Sequence, residues 1–465
     1  MIPLSGSLPM PHPGMLGALH LAAIVTGLLF YVSLRRRGRQ YRTAAAALAW
    51  VMALVVFPYI ALPLFFLLGR RKERGTRPIA WPRNPATGLE GAQVHAFESE
   101  HLGRAEEIPP PRAITRFALD ESGEVALSRL LALLDGAEEE IALSIFILTD
   151  DAAGHAVQSS LIAAADRGVR VRVLLDRMGT ARHLHRIHDR LEAAGVKARA
   201  FGAVRGLRSL ATGNLRSHRK FAVVDGNCLW SGGRNIAEAY FPQEEEEGWI
   251  DLSYVVEGAV AADALALFDR QWGEASSPHQ PPVVGRSGKD VMLVPSGPDF
   301  TRDTAYDLLL QAVHRADNRI WMVTPYFVPD DAFLHALLLA ARRGVQIRLV
   351  LPARSNHPLA DIARRRSLRD LAAEGTEILS LARMCHAKAV IIDEAWVMSG
   401  SMNLDTRSFF LNYELSCLFL DPSVVAQFDA WHARLAANGV RCQTAHATLI
   451  QDLYEGMVRA IAFQL

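Results

Sequence analysis

The stretch that decides the fold is residues 386–403, HAKAVIIDEAWVMSGSMN, which follow the pattern H-x-K-x₄-D-x₆-G-S-x-N. Residues 218–235, HRKFAVVDGNCLWSGGRN, place histidine, lysine, aspartate, glycine and asparagine at the same spacing. Two copies of so long a pattern in one chain indicate a duplication. We therefore expect two homologous halves that face each other and form one shared active site.

The chain around each pattern repeats one order of predicted elements. Each half has a helical stretch, an apolar strand, a second helix that ends at a glycine, and a β-branched strand, which indicates a βαβ unit. These segments are 124–134, 141–147, the helix before Gly168, and 169–175 in the first half, and 305–315, 319–324, 332–343 and 345–351 in the second. We predict an α/β fold of two repeats, each a mixed sheet flanked by helices.

The predicted domain boundaries follow from length and composition. A chain of 465 residues exceeds one typical core. Segments rich in proline, glycine and charge predict linkers at 73–112 and 276–290, so the repeats occupy 113–275 and 291–465. The stretch 447–463 carries Leu449, Leu453, Met457 and Ile461 at helical spacing. We predict that it forms a helix docked on the second repeat.

Residues 1–72 predict a transmembrane hairpin. Two uncharged runs, at about 15–34 and 44–68, reach the roughly 20 residues needed to span a bilayer. A signal peptide fits poorly because the basic residues follow the first run rather than precede it, and two buried soluble helices are the other alternative. Basic clusters follow both runs, so the positive-inside rule does not fix the orientation. Both clusters favour anionic lipid headgroups.

Overall composition excludes several classes of protein. Half of the residues are hydrophobic and 21% are charged, which excludes a disordered chain. The formal net charge of +1 gives no global basic field for nucleic acid. The four cysteines lack a C-x-x-C pair and zinc-like spacing, so we predict free buried thiols.

The residue types in the repeated pattern suit phosphate chemistry. Four apolar residues separate each lysine from each aspartate and predict a buried strand, on which side chains two positions apart project together. Lysine supplies positive charge for phosphate oxygens, asparagine donates amide hydrogens to them, and glycine lets the backbone approach closely. Histidine can be the nucleophile in one step and the proton donor in the other. The pattern predicts phosphoryl transfer through a phosphohistidine, with neither metal nor cofactor.

These residues resemble the signature of the phospholipase D superfamily, a duplicated H-x-K-x₄-D motif. A closer resemblance, over essentially the whole chain, is to bacterial cardiolipin synthases. It is carried by residues 400–414 (GSMNLDTRSFFLNYE), 324–327 (TPYF), 355–358 (SNHP) and the two-run leader that ends Gly69-Arg70-Arg71. The chain departs from the family pattern at Gly233, where the second repeat has a serine, and at Asn356, where an acidic residue is expected.

The resemblance implies a role for each candidate residue. One histidine attacks the phosphorus of a phospholipid and the other protonates the leaving alcohol; by position these are His218 and His386. A downstream carboxylate orients each histidine. The candidate catalytic residues are His218, Lys220, Asp225, His386, Lys388 and Asp393, with bracing of the strand end as the alternative for the two aspartates. The candidate phosphate-binding or orienting residues are Gly232, Asn235, Asp251, Ser401, Asn403 and Glu414, and Arg216 and Arg407 either contact anionic headgroups or form local salt bridges.

The leading functional hypothesis is a phosphatidyltransferase that joins two phosphatidylglycerols into cardiolipin and releases glycerol. Phosphatidylethanolamine is an alternative donor, and the resemblance implies a multi-pass protein of the inner (cytoplasmic) membrane, in contact with an anionic lipid surface. A hydrolytic phospholipase D is the main alternative. A nuclease of the same superfamily is disfavoured by the neutral charge and the apolar leader, and a scaffold with a decayed site is disfavoured by two intact motifs.

Overall fold

The computed structural model describes residues 13–37, 44–68, 79, 108–202, 214–242, 248–273, 290–442 and 447–462. The chain divides into two compact units. One comprises residues 1–73 with 204–214, and the other comprises 74–203 and 215–465. The second unit contains both repeats, and most of the two predicted linkers lies outside the described residues.

The N-terminal unit contains three helices, α1 Pro13–Arg37, α2 Ala44–Val56 and α3 Pro58–Leu68. The second predicted span is divided at Phe57, because a residue that precedes proline is disfavoured from helical geometry. No helix among the described residues is both long and apolar enough to cross a bilayer. The two predicted spans therefore stay a prediction.

The first repeat is a seven-stranded mixed sheet with helices on its faces. Its strands are β1 Arg116–Asp120, β2 Glu140–Ile145, β3 Arg170–Asp176, β4 Lys197–Phe201, β5 Phe221–Val224, β6 Cys228–Gly232 and β7 Ser253–Glu257. Its helices are α4 Gly123–Asp135, α5 Ala152–Asp166, α6 Leu184–Ala193 and α7 Val260–Trp272, with a 3₁₀ turn at Glu238–Tyr240. The strand order is β1-β7-β6-β5-β2-β3-β4.

The second repeat is an eight-stranded mixed sheet. Its main strands are β8 Val291–Ser296, β9 Arg319–Val323, β11 Gln346–Pro352, β12 Glu377–Leu381, β13 Ala389–Ile392, β14 Trp396–Gly400, β16 Glu414–Phe419 and β17 Val440–Arg441, and a separate pair joins β10 Phe327–Val328 to β15 Leu404–Asp405. Its helices are α8 Thr304–Arg315, α9 Asp331–Arg342, α10 Pro358–Ala373, α11 Thr406–Phe410, α12 Pro422–Ala437 and α13 Leu449–Ala462. The strand order is β17-β12-β11-β9-β13-β14-β16-β8.

The two sheets have the same topology, which confirms the predicted duplication. Read from β1 and from β8, the seven equivalent strands follow one order, and β17 extends the second sheet by one strand. In both sheets three neighbouring strands are parallel, namely β2, β3 and β4 in the first and β9, β11 and β12 in the second. The motif strands β5 and β13 pair antiparallel with β2 and β9. The apolar runs of both motifs form β5 and β13, with every residue buried, as expected for central strands covered on both faces.

The repeats share one hydrophobic core. Helix α7 of the first repeat and α12 of the second contribute Phe268 and Phe428 to a single cluster, which also contains buried residues of both central strands. Two short parallel bridges join the sheets, one between Ser217 and Tyr413 and one between Ile250 and Cys385. The repeats therefore form one folded body around the segments that carry the motifs.

The C-terminal helix α13 is docked as predicted, but through a different face. Glu455 and Val458 are buried against the domain, whereas Leu449, Leu453 and Met457 are 78%, 61% and 69% exposed. The apolar spacing correctly indicates an amphipathic helix. It does not identify the face that the fold covers, and here the polar side is docked.

A buried ion pair links the start of the first repeat to α7. Arg112 Nε and Nη2 donate to the two carboxylate oxygens of Asp263 at 2.8 and 2.7 Å, and both side chains are fully buried. The backbone of Arg112 also bridges Val291 at the edge of the second sheet. This pair therefore ties both repeats to one helix.

We expect Asp263→Ala to lower the free energy of unfolding by about 3–5 kcal/mol, because it leaves the Arg112 guanidinium buried without its carboxylate. Urea unfolding followed by circular dichroism measures the change. Glu257→Ala is the matched control, because it breaks an ion pair to Arg116 whose side chains are 68% and 30% exposed. We expect that control to cost at most about 0.5 kcal/mol. Equal losses in both variants would contradict this account.

Candidate active site

The two motif histidines are held by the opposite repeat. His218 and His386 lie just before β5 and β13 and are only 8% and 3% exposed. The backbone N–H of His218 donates to the Tyr413 carbonyl at 2.9 Å, and that of His386 donates to the Ile250 carbonyl at 2.7 Å. Each of these carbonyls belongs to the residue immediately before a candidate carboxylate. The two short bridges between the sheets therefore bring each histidine beside a carboxylate of the other repeat.

The carboxylates cross between the repeats. His218 Nδ1 lies 2.9 Å from each oxygen of Glu414, and His386 Nδ1 lies 2.7 Å from Asp251 Oδ2. A carboxylate beside Nδ1 holds the proton on that nitrogen and leaves Nε2 with its lone pair. Each half-site thus takes its histidine from one repeat and its carboxylate from the other.

The motif lysines are buried beside their histidines. Lys220 Nζ donates to the His218 carbonyl at 2.9 Å. Lys388 Nζ lies 2.8 and 3.0 Å from the ring nitrogens of His386 and donates to its carbonyl. Burial lowers the pKa of Lys388 to about 8 and that of Lys220 well below its ordinary value. An anion bound here would favour the charged form of both lysines, because its negative charge compensates for the lost hydration.

Burial also controls the histidines and their carboxylates. Desolvation, joined by the neighbouring lysines and opposed by the carboxylates, lowers the pKa of His218 to about 4 and that of His386 to about 3. Burial disfavours ionisation of Asp251 and Glu414, but the paired histidines together with the motif lysines outweigh it, so the pKa of each carboxylate lies below its ordinary value. Both imidazoles are therefore neutral near pH 7, the state required of a nitrogen nucleophile.

Both histidines line one cleft of about 240 Å³. Asn235 and Asn403 line it as well. The amide nitrogen of Asn235 donates to the Tyr240 hydroxyl at 2.8 Å, and the buried amide oxygen of Asn403 has no hydrogen-bond partner among the described residues. The arginines that the sequence singled out, Arg216 and Arg407, are in the cleft wall too. Polar groups from both repeats thus converge on one space.

The residues that follow each motif glycine position the carboxylates. Ser401 donates its hydroxyl to Glu414, and the same hydroxyl accepts from the N–H of Leu415 at 3.0 Å. At the equivalent Gly233, a Cβ atom would lie 2.1 Å from Asp251 Oδ1. The departure from the family pattern at Gly233 therefore has a steric reason: any side chain there would displace the Asp251 carboxylate.

Gly232 acts on the same carboxylate from the backbone. It has a φ of +143°, and a Cβ atom on it would lie 2.3 Å from the Leu252 carbonyl. The close approach fixes Leu252, which lies between Asp251 and the start of β7. The structure thus explains Gly232 by strand packing beside the site.

Asp225 and Asp393 do not line the cleft, and their positions favour bracing, the alternative to a catalytic role. The Asp225 carboxylate accepts backbone N–H bonds from Glu138, Glu139 and Glu140 at 2.8–3.1 Å. The Asp393 carboxylate accepts three such bonds from residues 317–319. Both residues follow the buried strand, whereas the histidines precede it. They brace the start of the neighbouring central strand, the alternative that the sequence left open.

Sequence reasoning missed the aromatic walls of the site. The Phe146 ring packs edge-on against His218 at 5.0 Å, and the Tyr240 ring packs edge-on against His386 at 5.1 Å. Trp249 adds a second ring to His386 at 5.6 Å. These residues lie outside the two motifs. The only sequence signal was their position at the ends of predicted strands or near a motif.

Half-buried Asp405 is a further wall residue. Burial raises its pKa to about 6, and its carboxylate caps α11 by accepting from the Ser408 N–H at 2.7 Å. The backbone of β15, to which it belongs, pairs with β10. A cap of this kind fixes the start of α11, the helix that carries Arg407.

Comparison with known proteins gives the family. The family described as cardiolipin synthase, PLD-like domain, matches residues 130–272 and 309–436, more than half of the chain. The chain belongs to the cardiolipin synthase family with phospholipase D-like domains. Each matched range contains one complete motif, so the family assignment covers the two halves of the site.

Relatives in the cardiolipin synthase family match most of the chain. Cardiolipin synthase A of Pseudomonas putida is 30% identical over 442 residues, which cover 89% of this chain and 90% of the relative. Cardiolipin synthase A of Pseudomonas aeruginosa is 29% identical over 410 residues, 84% of each chain. The crystal structure of phosphatidylserine synthase from Haemophilus influenzae shares the fold, with a TM-score of 0.58, 13% identity, and coverage of 76% of this chain and 96% of that one.

We expect Asp393→Ala to destabilise the protein and to spare its chemistry. The change removes three backbone bonds to a carboxylate and leaves alanine at a φ of +54°. The free energy of unfolding should fall by about 3 kcal/mol, while kcat/KM of the folded enzyme stays within about twofold of the parent.

Asp393→Asn is the matched control, because asparagine tolerates this backbone geometry and keeps one acceptor oxygen. We expect it to cost about 1 kcal/mol. Denaturant unfolding and activity on folded enzyme measure both variants. If folded Asp393→Ala lost about 100-fold or more in kcat, as expected for a lost acid or base, the residue would act in catalysis and not as a brace.

Proposed function

We propose that this protein is a membrane phosphatidyltransferase that makes cardiolipin from two phosphatidylglycerols and releases glycerol, through a phosphohistidine. The observation that carries the proposal is the pair of crossed histidine–carboxylate contacts, His218 with Glu414 and His386 with Asp251, around one cleft. Membership of the cardiolipin synthase family and the match to cardiolipin synthase A over 89% of the chain support the substrate class.

In the first step, Nε2 of His218 attacks the phosphorus of one phosphatidylglycerol. A P–N bond forms, and the P–O bond to the headgroup glycerol breaks. His386 binds a proton at Nε2 when the lipid phosphate enters the site, and it gives this proton to the leaving glycerol oxygen, so free glycerol departs. Glu414 stabilises the positive charge that develops on the attacking imidazole, because it contacts Nδ1.

In the second step, the now neutral His386 accepts the proton of a glycerol hydroxyl on a second phosphatidylglycerol. That oxygen attacks the phosphohistidine, the P–N bond breaks, and cardiolipin leaves. One phosphodiester replaces another, so the reaction needs no energy-supplying cofactor. The same histidine acts as acid and then as base, as microscopic reversibility requires.

The low pKa of His386 is compatible with its role as the acid. The Lys388 ammonium and burial hold this pKa down. A lipid phosphate beside the ring brings negative charge, which partly neutralises the lysine and raises the histidine pKa when substrate is bound. Lys220 and Lys388 then stabilise the charge on the phosphoryl oxygens in the transition state, and the amides of Asn235 and Asn403 add hydrogen bonds.

The N-terminal unit supports a membrane location. Its small core consists of Tyr31, Leu54, Ala61 and Phe65. The outer surface of the helices is also apolar, with Leu21, Leu29, Met52 and Ile60 each more than half exposed. A continuous apolar surface of this kind is unfavourable in water. We propose that residues 15–34 and 44–68 hold the enzyme in the inner membrane, next to its phosphatidylglycerol or phosphatidylethanolamine donors.

The purified full chain in phosphatidylglycerol vesicles should release one glycerol for each cardiolipin formed. Mass spectrometry of the lipids and an enzymatic glycerol assay measure the two products. Vesicles of phosphatidylcholine alone are the control and should yield neither product. Phosphatidic acid as the main product would make the protein a hydrolase, because water would then be the acceptor.

We expect His218→Asn to abolish formation of a phosphatidyl-enzyme. Asparagine places an N–H near the former Nδ1, so the contact with Glu414 is retained while the nucleophile is lost. His386→Asn is the matched variant, which retains the contact with Asp251. It should still be labelled by a phosphatidyl ester of p-nitrophenol, because a good leaving group needs no acid. Acid-quenched labelling and mass spectrometry locate the adduct. Labelling of His386 in the His218→Asn protein would reverse the two roles.

A further inference from the structure

The C-terminal helix α13 is attached to the domain by its charged side. Arg369 of α10 donates to Glu455 at 2.6 Å and to Asp452 at 3.3 Å, and Arg459 donates to Asp331 at 2.8 Å. Glu455 itself is only 4% exposed. These ion pairs fix the rotation of the helix about its axis.

The opposite side of α13 is an exposed apolar stripe. It consists of five large side chains that are each more than half exposed: Leu449, Ile450, Leu453, Tyr454 and Met457. Positions i, i+1, i+4, i+5 and i+8 lie on one face of a helix. Single exposed hydrophobic residues are common on soluble proteins, but a contiguous group of five marks an interaction surface.

The apolar stripe lies on a helix that adjoins the catalytic cleft. Val458 of α13 is buried in a cluster with Val328, Ala360 and Ala363. Val328 and Ala360 also line the cleft that contains both histidines. One layer of side chains therefore separates α13 from the cleft.

Exposed basic side chains of α10 lie beside the charged side of α13. Arg365 and Arg366 of α10 have side chains that are 58% and 49% exposed, and they approach Glu455 and Asp452 only at 3.9 and 3.8 Å. Ion pairs so long and so exposed contribute little. These guanidinium groups are therefore available to bind the anionic phosphates of a bilayer into which α13 inserts. This charge favours an anionic lipid surface as the occupant over a second copy of the chain, which would bring the same arginines against its own.

We propose that α13 is an interfacial helix, which inserts its apolar stripe into the boundary of an anionic bilayer with Arg365 and Arg366 at headgroup level. The proposal rests on the proposed function, because it gives the cleft direct access to lipid headgroups. An amphipathic helix with an apolar face and flanking basic residues binds anionic membranes in this way. The contact is separate from the N-terminal unit and orients the catalytic repeats on the surface.

Depth measurement on the full chain tests the insertion. In a Cys442→Ser background, Met457→Cys carries an environment-sensitive dye, and Val125→Cys is the control because Val125 is an apolar residue, 46% exposed, on helix α4. In vesicles that contain phosphatidylglycerol and a spin-labelled lipid, we expect quenching at position 457 to exceed that at 125 by about threefold or more. Equal quenching at the two positions overturns the proposal. Without vesicles, the dye at position 457 should stay exposed to solvent. If it became shielded as the protein concentration rose, the stripe would mediate self-association and the proposal would be overturned.

Turnover provides a second and independent test. Leu453→Glu with Met457→Glu should reduce transfer on phosphatidylglycerol vesicles by about tenfold and leave transfer on short-chain phosphatidylglycerol below its micelle concentration unchanged. Val125→Glu should change neither rate. Equal loss on both substrates would mean that the stripe is needed for the folded site and would overturn the proposal. If even the parent protein transferred neither lipid, the proposed function would fail, while the depth measurement would still decide whether α13 inserts.

Discussion

The structure depends on the crossed contacts between His218 and Glu414 and between His386 and Asp251. All four side chains are buried, and a buried charged group is costly unless it is paired. Because each pair joins the two repeats, each carboxylate finds its histidine partner in the other repeat. The other features follow from this constraint. The short backbone bridges align the chains, and the glycines at 232 and 400 let the neighbouring strand approach to within 2.3 Å of where a Cβ atom would be.

The same burial sets the chemistry. Two lysines, two histidines and two carboxylates are buried close together, and burial pushes the lysine and histidine pKa values downward. A bound phosphate group would stabilise the charged forms of these lysines and histidines, because it brings negative charge to side chains whose protonation burial disfavours. The cost of building the site is thus offset when substrate binds. An uncharged lipid headgroup without a phosphate would leave that cost in place, so the arrangement favours an anionic, phosphate-bearing group.

The sequence was sufficient for the duplicated α/β fold, the buried strands β5 and β13, and the histidines, lysines and carboxylates of the site. It did not show that the two ends of a motif strand lie in different places, with the histidine at the cleft and the aspartate away from it. Asp225 follows His218 by seven extended residues, or about 23 Å, yet both belong to one motif. Periodicity likewise indicated that α13 is amphipathic without indicating which side is covered, because Glu455 is buried only through arginines that are distant in sequence. The aromatic rings on the histidines come from segments outside the motif pattern, where only the folded chain reveals the contact.

The two half-sites are related by duplication but are not identical, and the difference matters for a reaction with two distinct roles. Glu414 reaches His218 with both oxygens and also accepts the Ser401 hydroxyl, whereas the shorter Asp251 offers one oxygen to His386 and accepts the Leu252 N–H with the other at 2.8 Å. Lys388 Nζ lies against the His386 ring, whereas Lys220 Nζ donates to the His218 carbonyl and lies 5.2 Å from the centroid of the Phe146 ring. The protonation of the two histidines can therefore respond differently to one phosphate, which is what division into nucleophile and acid requires.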